Sequence, residues 1–359
     1  MSGAYTAALV ALVAAILAAL ASTSAYIVRV GSFDAAGPTR VDGTEFVGRS
    51  FIRRDVYFPA IDGQLLHGWL FRPAASQKSF PIVVMASGLG AQIDFGMDKY
   101  AEIFAGEYGM AALLFDYRNF GSSEGKVRNL VDPWMHLDDW RSAVEYASRS
   151  ELADPGGKVA LWGSSLSGGH VLVLASELKD RVSAVVSQSP HLDGRENRKK
   201  NIRPPPIGRG LLDVLRISLV ALQDIIRDKL GLAPAYIPIV GELGSISIMT
   251  LSPGELSNYF RKHPESRGGG WQNMAPARIV LRIGSYSPID FVPEITSSVL
   301  FVAAGKDTLC PPEFVQKAAS LTKSSSEVMV LNAGHFETYY DEHFANATAR
   351  MGRFLREHL

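Results

Sequence analysis

The sequence predicts an α/β protein: a doubly wound, mostly parallel sheet with an inserted cap, preceded by an N-terminal hydrophobic helix. Three observations predict it. Short apolar runs bounded by turn residues recur along the chain, as strands buried on both faces require. Helix-length segments separate them, and that alternation implies βαβ crossovers. One long stretch, residues 190–288, lacks the rhythm and reads as a cap inserted over the strand ends.

Taken in order, the chain opens with Ala7 to Ala21, AALVALVAAILAALA, and Arg29 is its first charged residue. About 20 apolar residues span a bilayer, so residues 1–28 are expected to form a transmembrane anchor or a signal segment. Ala19-Leu20-Ala21 and Thr23-Ser24-Ala25 are small-residue sites suited to signal cleavage. The first residues carry no Lys or Arg, whereas Arg29 and Arg40 follow the segment, which favours a single-pass anchor with the rest of the chain cytoplasmic. Secretion after cleavage, or a buried helix, are the alternatives. A sequon at Asn346-Ala347-Thr348 falls inside the last expected helix. Residues 29–50 read as a linker.

Phe51 to Phe58 and Leu65 to Phe71 are β-rich runs joined through Asp62-Gly63, a hairpin turn. Pro81 to Ala86, Met110 to Phe115, Lys158 to Trp162, Val182 to Gln188, Ser298 to Ala303 and Glu327 to Leu331 are compact apolar strands. Helices are expected over 97–107, 134–149, 166–178, 312–322 and 338–358. The core is therefore 51–189 with 289–359, and the cap is 190–288. Within the cap, Leu211, Leu215, Leu219, Leu222 and Ile226 share one stripe of a helix, read either as a lid packing on the core or as an interfacial helix. The cap also holds a Pro204-Pro205-Pro206 run and a Gly268-Gly269-Gly270 turn.

Lys and Arg number 36, and so do Asp and Glu. This balance argues against a nucleic-acid partner, which calls for a basic patch. Cys310 is the single cysteine, so no intrachain disulfide forms. No His/Asp/Glu cluster at metal spacing appears, and no cofactor or metal is expected.

The strongest chemical signal is Leu161-Trp162-Gly163-Ser164-Ser165-Leu166-Ser167-Gly168-Gly169-His170, lying between an expected strand and an expected helix. That context is a nucleophile elbow. Its tight turn needs small residues two before and two after the nucleophile, here Gly163 and Ser167, which selects Ser165 over Ser164 and Ser167. A serine hydroxyl needs a base, and the base an orienting carboxylate. Asp307 follows the strand ending at Ala303, and His335 follows the strand ending at Leu331, in the chain order nucleophile, acid, histidine. Asp290 and Glu337 are rival acids, and His170 reads as a polar-core histidine. The oxyanion donors are expected to be the backbone N–H groups of Leu166 and, in Ala86-Ser87-Gly88-Leu89-Gly90, of Leu89. The run Asp116 to Gly125, DYRNFGSSEG, reads as a loop pinned by its Asp and Arg and turned by its glycines.

With these motifs placed, residues 50–359 resemble the α/β-hydrolases. The segments WGSSLSGGHVLVLA, SQSPHLDG, YIPIVGELGSISIMTLSPGE and GHFETYYDEHF resemble the fungal polyketide transferase-like hydrolases, near the Xaa-Pro dipeptidyl-peptidase-like and dienelactone-hydrolase-like groups. The resemblance implies serine acyl chemistry on a small-molecule ester, thioester or amide. Hydrolysis is the expected outcome. Acyl transfer by the same triad and a non-catalytic binding protein are the alternatives.

Overall fold

The computed structural model describes residues 43–359 apart from 76–78, 155, 157, 202–209, 243–244 and 268–269. These residues divide into two units. The larger takes in the described part of Asp34–Gly194 with Gly254–Gln272 and Tyr286–Leu359; the smaller includes Arg195–Pro253 and Asn273–Ser285.

The larger unit is built on a nine-stranded sheet. Its strands are β1 (Glu45–Val47), β2 (Phe51–Pro59), β3 (Leu65–Pro73), β4 (Ile82–Ala86), β5 (Ala111–Phe115), β6 (Val159–Ser164), β7 (Val182–Gln188), β8 (Ser298–Ala304) and β9 (Ser326–Leu331). Their order across the sheet is β1-β2-β3-β5-β4-β6-β7-β8-β9. The first three strands and β5 pair antiparallel, and every pair from β5 to β9 is parallel. The β2–β3 hairpin turns at Asp62-Gly63, where Gly63 takes φ +83°. Three residues of the stretch expected as linker form β1.

The apolar runs became strands because both faces of the sheet are covered. Every residue of β4, β5 and β6 is buried. On one face lie α1 (Met97–Gly106) and, from the chain end, α6 (Asp341–His358); on the other lie α2 (Pro133–Ser148) and α3 (Leu166–Leu178). Two further helices, α4 (Glu255–Lys262) and α5 (Pro312–Leu321), complete the unit. Tyr100 and Phe104 of α1 meet Met351, Phe354 and Leu355 of α6 over Met85 and Trp162. The last expected helix, 338–358, is split: a 3-10 turn covers Phe336–Tyr339, Tyr340 is extended, and Asp341 has φ +53°.

The smaller unit closes on its own core of Ile217, Val220, Ala221, Ala235, Ile237 and Ala277. The stripe read from the sequence of its long helix, Leu211–Lys229, is not the side that packs. Leu211, Leu215, Leu222 and Ile226 are exposed, and Ile217, Val220, Ala221 and Asp224 are buried. An ion pair sets this orientation. Asp224 Oδ2 accepts from Arg278 Nε at 2.8 Å, and its Oδ1 accepts from the Ala235 N–H at 2.8 Å. A buried carboxylate must be fully hydrogen-bonded, so the helix turns its Asp224 face inward.

The expected single-pass anchor, with its membrane and cytoplasmic placement, does not stand: among the described residues no helix is long and apolar enough to cross a membrane. The long helix Leu211–Lys229, for instance, carries Asp213, Arg216, Asp224, Arg227, Asp228 and Lys229. The 1–28 segment on which the anchor rested lies outside the described residues, as do Pro204-Pro205-Pro206 and Gly268-Gly269.

Candidate active site

The carboxyl ends of β4, β6, β8 and β9 supply the site, the usual place for one in an open parallel sheet. Ser165 sits between β6 and α3 at φ 58°, ψ −120°. A non-glycine residue in that region is strained, and such strain collects where surrounding contacts enforce it. Here they do. The Ser165 N–H donates to the Gln188 carbonyl and the His191 N–H to the Ser165 carbonyl, both at 2.9 Å. A methyl on Gly163 would lie 2.3 Å from the Ser167 carbonyl oxygen, and one on Gly169 would lie 2.4 Å from that of His191. The strand and helix meet too closely for side chains at these positions. Ser167 replaces the usual second glycine without leaving a polar orphan: its Oγ accepts from Tyr117 Oη at 3.0 Å, which in turn accepts from Trp140 Nε1 at 2.9 Å.

His335 Nε2 lies 3.2 Å from Ser165 Oγ, and His335 Nδ1 lies 2.6 Å from Asp307 Oδ2. The other carboxylate oxygen, Oδ1, accepts the N–H groups of Leu309 and Cys310, each at 2.8 Å. All three side chains are buried. The loops that bear the acid and the histidine are joined by main-chain bonds past the strand ends, Gly305 N–H to Leu331 O at 2.7 Å and Lys306 N–H to Ala333 O at 2.9 Å. Burial is the largest influence on the His335 imidazole and disfavours its charged form. The Asp307 charge and hydrogen bond outweigh it, so the imidazole is held well above its ordinary range.

The rival acids stand elsewhere. Glu337 accepts the Gly334 N–H at 2.7 Å, and Asp290 is exposed in the turn Pro288–Glu294. His170 is a core histidine: its Nδ1 meets Tyr286 Oη at 2.6 Å, and burial lowers its basicity. Leu166 is the first residue of α3, where helix N–H groups have no intrahelical partner. Leu89 lies in the turn after β4. That turn rests against Ser165, since a methyl on Gly88 would come 2.7 Å from Ser165 Cβ. The turn is held by Ser87 Oγ donating to Gln92 O at 3.1 Å and Trp271 Nε1 donating to Gly90 O at 2.7 Å.

The loop after β5 has the pinned form its sequence implies. Asp116 Oδ1 accepts the Ile93 N–H at 3.0 Å, and Arg118 bridges Asp139 and Asp62, both at 2.6 Å. Gly121 has φ +46° and leaves no room beside Asp116.

Among the described residues, one group of donor atoms lies close enough to hold a metal ion: Asp307, Cys310 and His335, all within 4.8 Å of one another. Sequence spacing gave no sign of it, because two separate loops make it. Its Asp307 and His335 already bond each other, and burial pushes the Cys310 thiol up. Sequence reasoning also missed Tyr339, Thr338 and Gln188 beside the histidine, and treated Ser164 only as a competing serine.

This elbow, with a histidine and an acid on the next strand ends of such a sheet, defines the chain as an α/β-hydrolase. It belongs to the family of the quorum-quenching protein AidA of Acinetobacter baumannii, with which it is 34% identical over 84% of this chain and 94% of that one. A family model described as X-Pro dipeptidyl-peptidase (S15 family) matches residues 62–202. The chain is also similar to the polyketide transferase af380 of Aspergillus fumigatus, 27% identical over 86% of this chain and 99% of that one. Among solved structures it is similar to the α/β hydrolase GrgF from Penicillium, with a TM-score of 0.68 and 26% identity over 85% of this chain and 98% of that one.

Proposed function

We propose that the protein is a serine hydrolase acting on an ester, thioester or amide of a small molecule through an acyl-enzyme. The observation that carries this reading is the unbroken line from Ser165 Oγ to His335 at 3.2 Å and from His335 to Asp307 at 2.6 Å. His335 takes the hydroxyl proton as Ser165 Oγ attacks the carbonyl carbon, and then delivers it to the leaving group as the acyl bond breaks. Asp307 fixes the imidazole tautomer and stabilises the imidazolium. The Leu166 and Leu89 amides receive the oxyanion. Water, activated by the same histidine, attacks the acyl-enzyme and frees Ser165.

A fluorophosphonate probe tests the assignment. Wild-type protein labels and Ser165→Ala does not; equal labelling of the two would overturn it. The likeness to a polyketide transferase favours a second reading, in which an acceptor alcohol or amine replaces water. Product analysis with an acceptor present distinguishes the two. A purely binding role has no use for a polarised histidine beside a strained serine.

A further inference from the structure

The Ser165–His335 contact spans 3.2 Å between two loops on different strands, at the long end for a hydrogen bond. Its length depends on how the His335 turn is held against the elbow. Two sets of buried hydrogen bonds hold it, and neither belongs to the proposed triad.

The first is direct. Ser164 Oγ, in the residue before the nucleophile, meets Tyr339 Oη at 2.6 Å, and Tyr339 closes the 3-10 turn that follows His335. The second runs through Gln188 at the end of β7. The Gln188 carbonyl accepts the Ser165 N–H at 2.9 Å. Its side-chain Nε2 donates to Thr338 Oγ1 at 3.1 Å and to Tyr100 Oη at 3.1 Å. Thr338 Oγ1 then donates to the His335 carbonyl at 2.9 Å, and Tyr100 Oη to the Thr338 carbonyl at 3.0 Å. Each of these hydroxyls both gives and receives a hydrogen bond. Ser164, Gln188, Thr338 and Tyr100 are all fully buried. One residue, Gln188, thereby holds the nucleophile by its main chain and the base by its side chain.

We propose that Ser164 with Tyr339, and Gln188 with Thr338, are positioning residues that set the separation of Ser165 and His335. The proposal rests on the nucleophile–base reading above. Gln188 Oε1 is buried without a hydrogen-bond partner, so the hold on the histidine turn runs through Nε2 alone. Buried hydrogen bonds of this kind restrict the groups they join to one geometry, and reacting groups displaced by about 1 Å lose on the order of a hundredfold in rate. The requirement also accounts for a polar residue at 164. An apolar side chain would fill that site equally well but would leave the Tyr339 hydroxyl buried and unpaired.

The test uses near-isosteric variants of the full chain. Tyr339→Phe and Thr338→Val are each expected to lower kcat by about tenfold while KM stays within about twofold. Ser164→Ala and Tyr339→Phe remove the same bond, so their double variant should lose no more than the larger single loss. Tyr108→Phe is the control for lost stability alone. It deletes a 3.2 Å bond from Tyr108 Oη to the Ala349 carbonyl between the end of α1 and α6, and should leave kcat unchanged. If Ser164→Ala fails to fold, Tyr339→Phe and Thr338→Val carry the test. Wild-type kcat in both, with Ser165→Ala inactive, overturns the positioning role and spares the nucleophile. Retained labelling in Ser165→Ala overturns both.

Discussion

Gly88→Ala adds a single methyl group between the turn after β4 and Ser165, the proposed nucleophile. In the structure that methyl would stand 2.7 Å from Ser165 Cβ, 3.2 Å from the Ser164 carbonyl oxygen and 3.3 Å from Ser165 Oγ. Carbon atoms in contact sit about 3.5 Å or more apart, so the turn must withdraw by about 0.8 Å. Ser165 cannot yield instead, because its backbone is held on both sides by Gln188 and His191. Gly88 is not among the positive-φ residues, so alanine suits its backbone and the effect is one of distance alone. At Gly90, with φ +72°, the same change would strain the backbone and confuse the result. The withdrawn turn should carry the Leu89 amide away from the place proposed for the oxyanion. Losing one such donor costs about 3–4 kcal/mol, on the order of 10²–10³ in kcat. The assay is kcat and KM on an activated aryl ester, with thermal unfolding to check the fold. A folded variant with kcat within about threefold of wild type would refute the oxyanion role of this turn.

Two further predictions concern ionisation. The His335 imidazole must be neutral to act as base, so kcat/KM should rise with pH through a value above the usual histidine range, because Asp307 holds the proton there. Asp307→Asn removes that charge but not the burial, so the rise should move to lower pH while kcat falls by on the order of 10³–10⁴; an unmoved limb in the pH profile would contradict the assigned pair. Asp94 is pushed up to about 7 by burial first and the nearby Asp116 charge second, and its Oδ1 has no hydrogen-bond partner. The folded chain thus keeps a proton that the unfolded chain has lost, and stability falls as pH rises from about 4 to 7. Asp94→Asn should raise the melting temperature at pH 8 and do progressively less toward pH 4, a trend that melting curves across that range would check.

Much of the larger unit was legible because its signals are local. A strand buried on both faces must be apolar throughout, and β4 to β8 read that way. The elbow could be found because the crowding of Gly163 against Ser167 acts within five residues of chain. Asp307 and His335 could be found because each follows a strand directly. What escaped depends on partners distant in sequence. The inward face of the helix Leu211–Lys229 includes Asp224, which pairs with Arg278 far along the chain, so the reading of its leucine stripe as the side that packs on the core missed, while the interfacial reading is compatible with the exposed stripe. The hydroxyls of Ser164, Thr338 and Tyr339 look like ordinary polar residues until the sheet lines up the ends of β6, β7, β8 and β9 in one row. The expected membrane anchor came from the apolar run of residues 1–28 and the arginines after it, and no described helix supports it.

The strand order gives the three proposed partners unequal footings. Ser165 follows β6, which has neighbours on both sides, whereas His335 hangs from β9, the last strand of the sheet, paired among the described residues only to β8. An outer strand loosens before an inner one, because half of its main-chain ladder faces no partner. The proposed base therefore rides on one of the sheet's two outer strands, and the proposed nucleophile on an inner one. Gentle heating is expected to part the two before most of the fold is lost, so the temperature at which catalysis fades should follow the grip on that outer strand.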